Sequence, residues 1–265
     1  MIGSDIDETG GNTAVPAGLP ADTSLRHIPL ACGEELLLLV VRFENDSDGQ
    51  STEQVGLLTQ MVSDWVAAAP RPHGGPLPIV TVPLYGCHVA SIPGRAAVVG
   101  PPARLEVLAT AVIEFANREA ELRQLERRCA DLLESLEEDA SHAFEFETQS
   151  LGHRDVLAAR FREAVAVRVQ LALVAPTVHA PAVHPPTLTS QLGERLRDRT
   201  RLAERHEFAV DRAELAERLY EACGQRASDF GIARRQMGLE WAIVVLLVIQ
   251  TALLIVDLLS GRGAT

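Results

Sequence analysis

The sequence predicts an α+β protein: a small N-terminal α/β domain of order β-α-β-β, then long helices forming a bundle or coiled-coil-like stalk, then one C-terminal transmembrane helix. Three observations carry that prediction. Between residues 35 and 100, short apolar runs alternate with Pro- and Gly-rich breaks and one helical stretch. Between 101 and 237, apolar residues recur at alternating spacings of three and four. From Trp241 to Leu259, an apolar run is interrupted only by Gln250, Thr251 and Asp257.

Taken in order, residues 1–25 mix Gly, Pro, Ser, Thr and Asp without an apolar period, and a mobile tail is expected because ordering it would recover little burial. The α/β domain is expected over 26–100. Leu36 to Val41 is near-continuously apolar and short enough for a buried strand, broken at Asn45 to Gly49. A helix follows from about Thr52 to Ala69, with Leu57, Leu58, Met61, Val62, Trp65 and Val66 on one face, stopped by Pro70 and Pro72. Ile79 to Tyr85 and Cys87 to Ile92 are strand candidates, with a further one at Ala96 to Val99. No Gly-rich phosphate loop lies at a strand–helix junction, so no nucleotide and no other cofactor is expected.

The long-helix region is expected over 101–237, with a loop at 176–187. Pro101 and Pro102 suit a helix start, where a missing N–H is harmless, and the helix runs from Ala103 to Phe146. Leu108, Phe115, Leu122, Cys129 and Leu136 repeat every seven residues, while Glu119 and Glu126 interrupt the seam and favour packing inside a bundle. After Gly152, Val156 to Val174 gives a second helix. The loop carries His179 and His184, two histidines without a third ligand at a metal-binding spacing, so no metal is assigned.

A third helix starts near Thr187 or Thr189 and meets no forced stop before the membrane run. Ala209, Ala213, Ala216, Tyr220, Cys223, Ala227 and Phe230 step by four and three along it, a seam suited to close helix approach and read as an oligomer seam. His206 on that seam reads as a partly buried polar residue. Arg195, Arg197, Arg199, Arg201 and Arg205 form the basic cluster, but alternate residues of a helix point to different sides and Glu194, Asp198 and Glu204 are interleaved, so a phosphate-binding stripe is not expected.

The transmembrane helix is expected over 238–260, with a short tail at 261–265. At ~1.5 Å rise per residue, Trp241 to Leu259 spans ~28 Å, matching the ~30 Å hydrocarbon core of a bilayer. Trp241 marks the entry, and Arg226, Arg234 and Arg235 precede the run against Arg262 after it, which puts residues 1–240 on the cytoplasmic side. Gln250 and Asp257 are seven apart on one helix face, a candidate helix–helix contact.

Composition removes several alternatives. The formal net charge of −12 disfavours nonspecific binding to nucleic acid. All 24 basic residues are Arg, which excludes Schiff-base chemistry and a P-loop lysine in this chain. Cys32, Cys87, Cys129 and Cys223 are scattered, as small buried hydrophobes in a reducing compartment would be. No basic start followed by an apolar run opens the chain, so membrane delivery is expected to rest on the C-terminal helix.

The junction Arg234-Arg235-Gln236-Met237-Gly238-Leu239-Glu240-Trp241, leading into Ile243 to Ile249, resembles the C-terminal signature of the "required for meiotic nuclear division" family. Arg234, Leu239, Glu240 and Trp241 carry the resemblance, which is specific only over about 234–254. Gln250 departs from it, since the family commonly has Glu there. The resemblance implies a single-span, self-associating membrane protein with no established enzymatic activity. Mitochondrial members sit in the inner membrane and support organellar translation. Without a presequence, a relative in the bacterial inner membrane is expected.

The leading expectation is therefore a C-terminally anchored scaffold or interaction protein without catalysis. Its partners would be the lipid bilayer, further copies of the chain and an unidentified protein. Two alternatives stand beside it. One is a relative of magnesium channels of the CorA type, although the second span and the Gly-Met-Asn loop of that architecture are missing. The other is a membrane-tethered translation-support factor.

Overall fold

The computed structural model describes residues 15–16, 18–43, 51–69, 78–144, 154–180 and 183–261. The expected breaks at Asn45 to Gly49, at Pro70 and Pro72 and at Gly152, together with Arg262 and most of the expected N-terminal tail, lie outside them. The protein is α+β, with five strands and, among the described residues, five long helices in the order β-β-α-β-β-β followed by α-helices.

Strand β2 (Glu35–Arg42) and helix α1 (Ser51–Ala67) fall where the apolar run and the 3.6 period put them. Strands β3 (Val80–Leu84), β4 (Cys87–Ile92) and β5 (Arg95–Gly100) follow as an antiparallel meander. Their turns set the register. Tyr85 and Gly86 both have positive φ, as a two-residue type I′ hairpin requires, while Pro93 precedes Gly94 at φ 78°, the pairing of a type II turn.

The expected β-α-β-β order omits a strand. β1 (Ser24–Pro29) pairs antiparallel with β2, so Ser24 and Leu25 belong to the sheet and not to a tail. β1 escaped the apolar pattern because it is an outer strand and only half-buried, held by polar pairs as much as by burial. Arg26 reaches Glu106 at 3.0 Å, and His27 Nδ1 lies 2.8 Å from Glu35.

The sheet order is β1-β2-β5-β4-β3, with β2 and β5 parallel across the α1 crossover. β5 is buried along its whole length, as an inner strand covered on both faces must be. One sheet face, with Leu39, Val41, Ala90, Ile92, Ala97 and Val99, packs on Val62, Trp65 and Val66 of α1. Arg95 is buried in this layer; its guanidinium stacks 4.6 Å above the Trp65 ring and donates to the Trp65 carbonyl at 3.0 Å. By strand alternation Leu38, Val40, Val89 and Val98 face the other way, and they too are buried.

Helix α2 runs Pro102–Phe144 and helix α3 runs Arg154–Val178. α3 passes through Pro176, so the loop expected from 176 begins only at His179. The third helix expected from Thr187 is two helices. α4 (Leu188–Arg199) starts on a capping box between Thr187 and Ser190, and α5 runs Leu202–Gly261. The chain breaks at Thr200 and at Arg201, whose φ is +50°. Neither residue is Gly or Pro, which is why no sequence signal marked the break.

Two compact units divide the chain. One takes in Met1–Arg128 with Val167–Asp211, the other Cys129–Ala166 with Arg212–Thr265. In the first, α2 is tied to the β1–β2 turn by Arg123 and Arg127 on Glu34 and by the Asn117 amide oxygen accepting from Ala31 N–H, while Arg195 of α4 donates to the Pro83 carbonyl of β3 at 2.8 Å. In the second, the Tyr220 hydroxyl of α5 lies 3.4 Å from the Leu132 carbonyl of α2.

The seam of small residues on α5 is covered by the chain itself. Ala209, Ala213, Ala216 and Tyr220 are buried in the single chain, so these four pack intramolecularly, and Cys223 is half-buried. The side chains of Ala227 and Phe230 lie outside the described residues.

Candidate functional site

The C-terminal part of α5 holds a candidate membrane-spanning helix. Arg235–Leu253 is long and apolar enough to cross a membrane, and none of it is buried inside the protein. Trp241 is 66% exposed, and Leu246, Val248 and Leu253 are exposed to a similar degree. A soluble core helix of this composition would be covered; this one is bare, and it is not a separate element but the continuation of the helix that begins at Leu202.

The polar groups along it differ in how they are satisfied. The Thr251 hydroxyl donates to the Leu247 carbonyl at 2.7 Å, satisfying itself within the helix. Gln250 is exposed, with no side-chain partner among the described residues. Leu239, Glu240 and Trp241 of the junction are all exposed at the entry to the run, beside Arg235. The side chains of Arg234 and Asp257 lie outside the described residues.

No protein-family model, curated protein or solved structure matches the chain.

The first unit contains a polar cluster that sequence reasoning saw only in pieces. Arg205, at the start of α5, holds Glu126 in two parallel bonds of 2.9 and 2.7 Å and reaches Glu119 at 3.4 Å. Glu119 is buried and is also approached by Arg123 at 3.8 Å. Burial alone would pull the Arg205 guanidinium down, but hydrogen bonding and attraction from Glu126, with Glu119 behind it, keep it above its ordinary value. The seven-residue spacing of Glu119 and Glu126 was the available signal: two carboxylates interrupting an apolar seam require a cation facing them.

This geometry also disassembles the basic cluster. Arg205 is taken up by carboxylates, Arg195 by the Pro83 carbonyl, and Arg201 pairs with Glu204 at 3.9 Å. His206 is buried, its Nε2 lying 2.9 Å from the Leu171 carbonyl. A carbonyl only accepts, so Nε2 carries the proton and Nδ1 is left to accept from Nε2 of His179 at 3.3 Å. The histidine brought to His179 is thus His206. Among the described residues no three His, Cys, Asp or Glu side chains are grouped to hold a metal ion.

A shallow cleft of about 280 Å³ between α2 and α4 is lined by Glu114, Arg118, Glu194 and Arg197 around Phe115 and Val183. Its hydroxyls at Thr187 and Ser190 are engaged with each other in the α4 cap. It holds charges of both signs and no nucleophile–base pair.

Proposed function

We propose that the protein is a single-pass membrane scaffold, anchored by the C-terminal part of α5, that self-associates and presents its sheet domain on the cytoplasmic side of a bacterial inner membrane. The observation that carries this reading is the bare apolar run over Arg235–Leu253, which would leave a continuous hydrophobic surface in water and matches the thickness of a bilayer. Arg235 at the start of the run and Trp241 near its entry support the orientation.

Kinship with the "required for meiotic nuclear division" proteins rests on the junction residues Arg234, Leu239, Glu240 and Trp241 and on the order of an α+β region followed by long helices. No catalytic step is assigned, because the clusters described above are internally neutralised and hold a fold together.

The test is fractionation of the full chain expressed in a bacterium. The protein is expected to stay in the membrane pellet after alkaline carbonate, with a C-terminal reporter outside the cytoplasm and an N-terminal one inside. Recovery in the soluble fraction would overturn the anchor; a cytoplasmic C-terminal reporter would overturn the orientation.

A further inference from the structure

α5 carries a second heptad seam, within the part of the helix that its own chain leaves bare on every side. Gln236, Leu239, Ile243, Leu246, Gln250 and Leu253 step by three and four, and all six are exposed. Leu239, Ile243, Leu246 and Gln250 lie about thirty residues beyond Ala209, Ala213, Ala216 and Tyr220, ~120° around the helix at ~100° per residue.

We propose that this open seam is a parallel, in-register, two-stranded contact with a second copy of the same chain, closed inside the bilayer by Gln250 against Gln250. The inference rests on the membrane reading above. Its residue types point to two strands: β-branched Ile243 stands at one seam position, with Leu239, Leu246 and Leu253 at the other, the combination that favours dimers over larger bundles. Gln236 and Gln250 occupy the same seam position two heptads apart, where an amide fixes register.

The amide also selects the partner. A side-chain amide in lipid needs a donor and an acceptor at its own depth, and it carries both. A second copy inserted the same way supplies the identical group at the identical depth, so the pair is complementary only in parallel and only in register. A lipid-facing helix would offer Gln250 nothing. The other faces of the run, such as Val244, Val245 and Val248, hold no polar group with this need.

Single cysteines introduced in the full chain in native membranes test this, with the parent chain, carrying its own four cysteines, as the baseline. Mild oxidation should give dimer with Leu246→Cys and Leu239→Cys at about fivefold or more over Val245→Cys and Val248→Cys, and no ladder of higher species. Gln250→Leu should weaken the dimer about three- to tenfold in detergent, read by energy transfer between labelled chains, with Gln250→Asn retaining most of it. Equal yields on both faces, preferred crosslinking at Val248→Cys, or an unchanged dimer in Gln250→Leu would overturn the seam while leaving a carbonate-resistant anchor intact. Release of the parent chain by carbonate would instead remove the membrane reading and the seam with it.

Discussion

Arg205 and Glu126 face each other fork to fork across α5 and α2, at 2.9 and 2.7 Å, with the buried carboxylate of Glu119 behind them. The arrangement converts two interruptions of an apolar seam into the contact that sets how the start of α5 lies on α2.

Removing the cation should therefore cost more than its surface position suggests. Arg205→Met leaves Glu119 buried without its partner from α5. Loss of one member of a fully buried pair costs ~3–5 kcal/mol, and with Arg205 29% exposed about 2–3 kcal/mol is expected. Adding Glu119→Gln should recover part of the loss, and thermal unfolding of the detergent-solubilised chain reads both. Additive single effects would contradict the pairing.

Gly100 ends β5 against Cys87. A Cβ built on it would lie 2.8 Å from the Cys87 sulfur and 3.2 Å from its Cβ, and the buried thiol has little room to move. Gly100→Ala should destabilise by about 1–3 kcal/mol, as overpacking does. In the Cys87→Ala background the same change should cost clearly less, a coupling that a double-mutant cycle would register.

His88 supplies a pH dependence. Burial pulls its imidazole below the ordinary value near 6.5, so the unfolded chain binds the proton more readily than the native one. Stability from this group is present above pH ~6.5 and lost as pH falls toward the depressed native value. His88→Gln should flatten the slope of melting temperature against pH in that window. An unchanged slope would show that other groups carry it.

The two faces of α5 should respond oppositely to added bulk. Ala216 is buried in the chain and Ala222 is exposed. Ala216→Leu should cost about 1–3 kcal/mol by overpacking, whereas Ala222→Leu should stay within about 0.5 kcal/mol. Unfolding midpoints of the two variants make the comparison.

Much of the fold is legible in the sequence because burial leaves a period. β2, α1 and β4 show it plainly, and the run after Trp241 shows it by length alone. β1 does not, since an outer strand held by Arg26–Glu106 and His27–Glu35 buries too little to print a pattern. The break at Thr200 and Arg201 carries no Gly or Pro to announce it. For α5 the period was visible, but a repeat of three and four cannot say which of two faces meets the chain's own helices. Ala209 to Tyr220 read as an oligomer seam, and these residues are buried within the single chain. The spacing of Glu119 and Glu126 called for a cation, but which one could not be read, because Arg205 and Glu126 are 79 residues apart and share no local signal.

The position of Pro83 has a consequence of its own. β3 is an outer strand of the sheet, and Pro83 withholds one amide from its open side while Arg195 occupies the carbonyl. A stray peptide arriving to lengthen the sheet there would find a gap and then a guanidinium in its way. Fibril growth from that border is thereby discouraged.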